Sequence, residues 1–599
     1  MNVFKDNLFR GSVIVLFWLL NMAGSSHAQT AMVNDQSRHL ISLNGKWNVM
    51  VDQGNVGGWK KFWIEPKLQK KTDFFEYSFD GAPELNVPGD FNSQMCELSF
   101  YEGSVWYRKL FNVAQKKDKR LFLYFGAVNY IADVYLNGEK LGSHEGGFTP
   151  FQFEITGKVK DGSNSLIVNV DNRRLENGLP GYGYDWLNYG GITRDVSIIE
   201  TANTYIEDYF IQLEKGSLND VLGWIQLNGG QAEQKIKVKI PELNIVYKSQ
   251  TNNSGFARVE FSSRFKLWSP ESPKLYNVIV ESETDTIVDE IGFRTLDVQG
   301  DKVLLNRKPI FLKGVNIHEE NPMKKARAYS LDDAKLLLNS AKELGCNLVR
   351  LAHYPHNEYM IKEAEKMGLM IWSELPIYQN IQFADSLVPK KMETMLREMI
   401  RRDKNRCGVA IWSLSNETYS STPNRNKALI NLTKICKAID STRLVSHVIN
   451  TQGYTNNSFN VWDTLYNYSD LIAINQYIGW YIPWQGKPSE VKWKVNFPDK
   501  PVFISEFGGE ALYGNKDVPT DEASSWSEEY QEQIYKNQVE MFGTIPNLCG
   551  VCPWILFDYK SLGRMHPVNQ KGFNRKGLLS DKGEKKKAWY IMNEYYKRK

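Results

Sequence analysis

From Pro309 onward the chain alternates short apolar runs with helical patterns, and this alternation limits the fold more than any other feature. The runs are PIFLKGVNI, CNLVRLA, LMIWSEL, GVAIWSLS, LVSHVIN, DLIAINQ, PVFISEF and CGVCPWIL, eight in all. Runs of this length, rich in β-branched and aromatic residues and separated by helical patterns, read as parallel strands with crossover helices. The clearest helix is predicted over Leu331 to Leu344. Ser330 is its N-cap, Gly345 stops it, and Leu331, Ala334, Leu337, Leu338 and Ala341 share one face. Eight such units predict a (β/α)8 TIM barrel over 298–599, with its chemistry at the C-terminal ends of the strands.

Upstream the period changes. From about residue 40 to 200, runs such as RLFLYFGAV, IADVYLNGEKLG and NSLIVNVDN alternate with turns, and Asn137-Gly138 is a hairpin signal. An antiparallel β-sandwich over 29–202 is expected. A shorter all-strand stretch over 203–297 (GWIQLNG, QKIKVKI, KLYNVIVES) has the size of an immunoglobulin-like β-sandwich. A chain of 599 residues exceeds one core, and about three or four domains are expected. No internal repeat or low-complexity linker interrupts the pattern.

The N-terminus reads as a leader. Lys5 and Arg10 precede the apolar run Ser12 to Leu20, and small residues lead to Ser26-His27-Ala28 before Gln29. This is the layout of a signal peptide over 1–28, and the apolar run is too short to span a bilayer. No cysteine follows the cleavage site to carry a lipid. Export is expected, to the periplasm of a Gram-negative cell and otherwise to the medium. Losing Lys5, Asp6 and Arg10 takes the formal charge from +4 to +3, a near balance that argues against nucleic acid and membrane surfaces as partners. The Lys-rich end, KGEKKKAWYIMNEYYKRK, reads as a solvated helix face. Six cysteines in so long a chain make no disulfide framework, and Cys549-Gly-Val-Cys552 opens an apolar run that reads as a buried strand.

Each barrel run ends in polar side chains. They are His318-Glu319-Glu320, Arg350 with His353, Glu374, Asn416-Glu417, Asn475-Gln476-Tyr477 and Glu506, with Asp558 beyond the last run. A carboxylate at the end of a run as apolar as VAIWSL is costly unless it is paired or neutral. Two carboxylates from different strands of one barrel mouth, among aromatic residues, suit acid/base cleavage of a glycosidic bond. A metal site built on His318 and His353 is the competing reading, and no HxH or HExxH spacing supports it. No metal and no cofactor is expected.

At these residues the sequence resembles glycoside hydrolase family 2 over essentially the whole mature chain, and its motif set is most similar to that of the β-glucuronidases. NVPGDFN, GSVWYRK, HEGGFTPFQFEIT and NYGGITRDV look like the family's jelly-roll-like, sugar-binding-type N-terminal domain. Asn347-Leu348-Val349-Arg350 with His353-Tyr354-Pro355, Ser415-Asn416-Glu417, Ser505-Glu506-Phe507-Gly508 and WSEEYQ match the family's barrel motifs. The resemblance implies a retaining exo-β-glycosidase with Glu506 as nucleophile, Glu417 as acid/base and Asn416 at the sugar 2-hydroxyl. Glu417 then has to be neutral in one step and charged in the next, a dual use that an apolar strand end beside a second carboxylate favours. Asn574-x-Lys576-Gly577 resembles the N-x-K-G stretch that binds the carboxylate of a uronic acid, and an amide with an ammonium suits that group. By the same resemblance Asp185 reaches the site, Tyr477, Tyr481 and Trp554 line it, and His318, Arg350 and His353 surround it.

The expected substrate is a carbohydrate ending in a β-linked uronic acid. β-Galacturonidase and β-galactosidase activities stay open as alternatives, as does a non-catalytic carbohydrate-binding protein, which intact Glu417 and Glu506 argue against. Homo-oligomerisation is left open. The segment from Glu374 to Lys391 is short, so no long insertion covers the pocket, and an open mouth suits oligosaccharide ends.

Overall fold

A computed structural model describes residues 27–65, 70, 72, 76–419, 421–450, 453–516 and 526–599. The leader read over 1–28 lies outside the described residues except for His27 and Ala28. No helix among the described residues is long and apolar enough to cross a membrane.

The predicted barrel is present. Its first strand is broken into Leu312–Lys313 and Asn316–Ile317. The others are Leu348–Leu351, Met370–Glu374, Val409–Asn416, Leu444–Asn450, Ile472–Asn475, Val502–Glu506 and Leu548–Val551. All neighbours are parallel, and the ring closes where Leu312 and Lys313 pair with Gly550 and Val551. Closure needs glycine there, because a Cβ on Gly550 would stand 2.4 Å from the Leu312 carbonyl oxygen. Helix Leu331–Leu344 has the expected N-cap at Ser330, which forms a capping box with Asp333, and Gly345 ends it with φ 96°. Ala334, Leu337, Leu338 and Ala341 are buried as expected, but Leu331, in the open first turn, is 38% exposed.

Further helices, Glu358–Lys366, Val388–Asp403, Pro423–Ile439, Glu528–Phe542 and Lys587–Arg598, wrap the ring. Among the described residues, the helical content of the crossovers after the fifth and sixth strands is short 3-10 turns, Thr464–Asn467 and Pro488–Glu490. These crossovers share a small sheet of Tyr454–Thr455, Ser458–Val461 and Lys492–Val495. The Lys-rich last helix buries Trp589, Met592, Tyr595 and Tyr596 and turns its end charges outward, but Lys586 before it, expected on a solvated face, is fully buried against Asp558.

The two ends of the barrel differ in polarity. At the strand starts, the short sheet Leu296–Gln299, Lys302–Leu305 and Lys308–Pro309 inserts Leu296, Val303 and Leu305. These pack with Leu312, Leu348, Trp372, Ile411 and Phe503 into a dry floor. Each such side chain contributes about 1.5–3 kcal/mol by leaving water. The polar residues remain at the other end.

The N-terminal sandwich packs a five-stranded sheet against a six-stranded one. Strand Ser163–Asp171 lies between Ser104–Asn112 and Ile131–Leu136 in the larger sheet. The immunoglobulin-like domain pairs a three-stranded sheet with a four-stranded one around Ile225, Val238, Val278 and Val280. A buried ion pair ties the first sandwich to the barrel, and a second one inside the barrel domain supports it. Arg194 reaches Glu319 at 3.2 Å, and Arg327 meets the same carboxylate at 2.8 Å.

Candidate active site

The floor of the mouth is organised by one cation. Arg350, in the second strand, has no exposed surface. Its Nε and Nη2 donate to Glu374 at 3.0 Å each, and Nη1 donates to Asn316 at 2.8 Å and to Glu506 Oε1 at 2.7 Å. Nη2 also donates to Asn416 Oδ1 at 2.7 Å. A buried guanidinium is tolerated when its fork is fully used in this way. Burial opposes the charges of this cluster, but Arg350 and His353 hold the Glu374 carboxyl down at about 2. His353 Nδ1 lies 2.7 Å from Glu374 and therefore carries the proton that it donates, leaving Nε2 as an acceptor. Burial lowers the His353 imidazole to about 4 despite the hydrogen bond to Glu374, so it is neutral at pH 7.

Two carboxylates stand on this support. Glu506 closes the seventh strand, and its Oε2 accepts from the Tyr477 hydroxyl at 2.7 Å. Burial pushes Glu506 up to about 7, helped by the Glu417 charge and opposed by Arg350 and Tyr477. Glu417 follows the fourth strand in the left-handed region, φ 49°, a conformation that costs a non-glycine residue about 1–2 kcal/mol. Gln379 Nε2 donates to its Oε2 at 3.0 Å, and Asn475 Nδ2 donates to its Oε1 at 2.9 Å. Asn475 also donates to Asn416 Oδ1 at 3.1 Å. Asn416 Nδ2 and His318 Nε2 are buried without a hydrogen-bond partner, and such groups are expensive unless something arrives to pair with them.

The far side of the cavity is ionic. Lys576 is 1% exposed, and its Nζ donates to the Tyr481 hydroxyl at 2.7 Å and to Glu510 at 3.3 Å. Asn574 Nδ2 donates to Asp185 at 3.1 Å and to Tyr559 at 3.0 Å. Arg564 donates to Asp185 at 2.5 Å and to Glu510 at 3.4 Å. Burial would raise both carboxyls, but Arg564 keeps Asp185 below the usual range, and Lys576 with Arg564 does the same for Glu510.

Family models agree with this architecture. One described as "Glycosyl hydrolases family 2, TIM barrel domain" matches 296–544, the family's "sugar binding domain" matches 40–202, and a third "Glycosyl hydrolases family 2" model matches 204–294. The chain belongs to glycoside hydrolase family 2. The family 2 chain is 27% identical to a β-glucuronidase of Streptococcus agalactiae over 580 residues, 86% of this chain and 93% of the relative. It is 29% identical to a β-glucuronidase of Rattus norvegicus over 620 residues, 94% of this chain and 91% of the relative. The structure of a β-glucuronidase from an uncultured Clostridium sp. superposes with a TM-score of 0.81 at 26% identity, covering 96% of this chain and 100% of that one.

In this family 2 enzyme one cavity of about 420 Å³ gathers most of the residues singled out from the sequence. Asp185, His318, His353, Glu417, Tyr477, Tyr481, Glu506, Trp554, Asn574 and Lys576 line it. Arg350 and Asn416 stand behind its wall, and Arg350 spends its donors on protein groups. Other strand-end acids turn away from the cavity. Glu319 pairs with Arg194 and Arg327, Glu320 accepts from the Lys560 amide, and Asp558 pairs with Lys586 at 2.7 Å and Arg575 at 3.2 Å. Sequence reasoning missed Trp186, Tyr378, Gln379, Tyr559 and Arg564, which also line the cavity. Trp186 directly follows Asp185 and could have been found there. Arg564 lies in a loop without periodicity, and no pattern marks it.

Proposed function

We propose that this family 2 enzyme is a retaining exo-β-glucuronidase that removes terminal β-D-glucuronic acid from glycoconjugates or polysaccharide fragments. Glu417 protonates the glycosidic oxygen as the carbon–oxygen bond breaks, and the Glu506 carboxylate forms a bond to the anomeric carbon. Water then attacks that carbon, gives its proton to Glu417 and releases Glu506. Like charges in one site share a proton. When Glu417 holds it, its push on Glu506 is gone, and Arg350 and Tyr477 keep Glu506 ionised for attack. Arg350 is a positioning residue here. The unpaired Asn416 Nδ2, the unpaired His318 Nε2 and the acceptor His353 Nε2 are assigned to sugar hydroxyls.

One observation carries the choice of sugar. Lys576 shares a cavity with both carboxylates and uses two of its three N–H groups on Tyr481 and Glu510. The third suits a substrate carboxylate, with Asn574 beside it. Losing a charge-assisted hydrogen bond in a shielded site costs roughly 1.5–3 kcal/mol, or about 10- to 150-fold in kcat/KM. Lys576→Ala is expected to lose that much toward p-nitrophenyl β-glucuronide and little toward the β-galactoside, with the galacturonide run beside them. An unchanged uronide-to-neutral ratio would refute the assignment.

Export through the 1–28 leader is part of this reading, to the periplasm or to the medium according to the cell envelope. Sequencing of the mature N-terminus is expected to begin near Gln29, and an intact Met1 on the active protein would remove the leader.

A further inference from the structure

A second cavity, of about 180 Å³, adjoins the first and shares Glu417 and Asn450 with it. An acid that protonates the glycosidic oxygen lies between the sugar being removed and the group that leaves. If Glu417 has that role, as proposed above, the second cavity is on the leaving-group side. It has two exposed aromatic rings, Trp462 at 55% and Tyr419 at 50%. Amide and hydroxyl side chains, including Asn450, Asn460 and Ser421, complete the wall.

Trp462 is held from behind. It lies between buried Val461, which ends a strand of the small sheet, and Asp463, which caps the following turn. Arg425 Nη1 donates to both oxygens of Asp463 at 3.0 Å, and its Nε donates to the Thr418 hydroxyl at 3.0 Å. Thr418 is the residue after Glu417. The same buried cation therefore ties the acid/base loop to the loop that presents Trp462. Among the described residues the cavity lining contains no Lys or Arg, and its carboxylates are Asp463, neutralised by Arg425, and Glu417 itself. An anionic ring would find no counter-charge there. Aromatic faces with amide and hydroxyl groups suit a neutral pyranose, which offers C–H faces and hydroxyls together.

We propose that this cavity is a leaving-group subsite for a neutral sugar ring, with Trp462 as its stacking platform, so that the enzyme trims uronic acid from oligosaccharide ends. The proposal rests on the catalytic reading of Glu417. The test compares Trp462→Ala and Trp462→Phe with wild type on three substrates. β-Glucuronosyl fluoride has no ring beyond the scissile bond, phenyl β-glucuronide has an apolar ring, and a β-glucuronosyl-hexose disaccharide has a neutral sugar. Trp462→Ala is expected to lower the disaccharide-to-fluoride ratio of kcat/KM about 10-fold, and Trp462→Phe to keep most of it. An unchanged ratio overturns the subsite, and so does a loss confined to the phenyl glucuronide. A wild type that cleaves neutral glycosyl fluorides but not the uronide strikes the uronate reading instead. The Trp462→Ala ratio measured on neutral disaccharides then still decides the platform.

Discussion

Replacing Glu506 by Gln should leave the folded protein more stable and nearly inactive, and the gain should appear only at high pH. The Glu506 carboxyl is pushed from its ordinary 4.5 to about 7 by burial first and by the Glu417 charge second. A rise of that size corresponds to about 3 kcal/mol between the two protonation states. Below pH 4.5 the group is protonated in the folded and the unfolded chain, and its contribution is fully present. As pH rises through 7 the folded chain must also ionise it, and that stability is lost. A Gln side chain keeps the shape, still accepts from Arg350 and never ionises. The stability of Glu506→Gln minus that of wild type should therefore grow by about 3 kcal/mol between pH 4.5 and pH 8. Urea midpoints of both proteins across that range, converted with each protein's own slope, measure it. A difference that stays flat with pH would mean that Arg350 and Tyr477 fully offset the burial of the charge. The wild-type kcat/KM gives a second reading: with the proton on Glu417 the push on Glu506 is gone, so its acid limb should fall below pH 7 as Glu506 takes up a proton.

Glu417→Ala is expected to slow substrates with poor leaving groups far more than activated aryl glycosides, and added azide should restore rate as a β-glycosyl azide; equal losses and no rescue would make Glu417 structural. Arg350→Ala leaves Glu374 and Glu506 buried without their cation and should cost about 3–5 kcal/mol of stability by urea unfolding, with less than about 1 kcal/mol refuting the supporting role.

The barrel was legible because strand periodicity fixes where a strand ends, and the carboxylates at those ends were legible as a set. The family resemblance singled out Glu417 and Glu506 from it. Strand-end position alone gave Glu319, Glu320 and Asp558 equal standing. A strand end gives a position but not a side-chain direction, and these three turn toward Arg194 and Arg327, the Lys560 amide, and Lys586 with Arg575. Helix Leu331–Leu344 was legible to the residue because Ser330 and Gly345 are chemical stop signals. Arg564 was not, since the Ser561-Leu562-Gly563-Arg564 loop has no period and its partners Asp185 and Glu510 are distant in sequence. Gln379 was missed for a similar reason. It lies beyond the third strand and reaches Glu417 through the loop path rather than by strand register.

The ionic side of the cavity explains why the barrel is not the whole catalytic unit. Asp185 and Trp186 belong to the N-terminal domain, yet both line the same cavity as Glu506. Asp185 accepts from Arg564 and from Asn574, two barrel-domain side chains. Lys576 and Arg564 supply two positive charges there, and Asp185 and Glu510 supply two negative ones. The set is neutral before any substrate arrives, and neutral pairing is what lets so many charges be buried together. The preference for a uronide proposed above then cannot come from excess positive charge. On that reading it comes from one directed donor, the third N–H of Lys576, because both Asn574 N–H groups are spent on Asp185 and Tyr559. Withdrawing the Asp185 loop would leave Arg564 with Glu510 alone and Asn574 with Tyr559 alone, so on the proposed reading the contact between sandwich and barrel takes part in how the sugar is read.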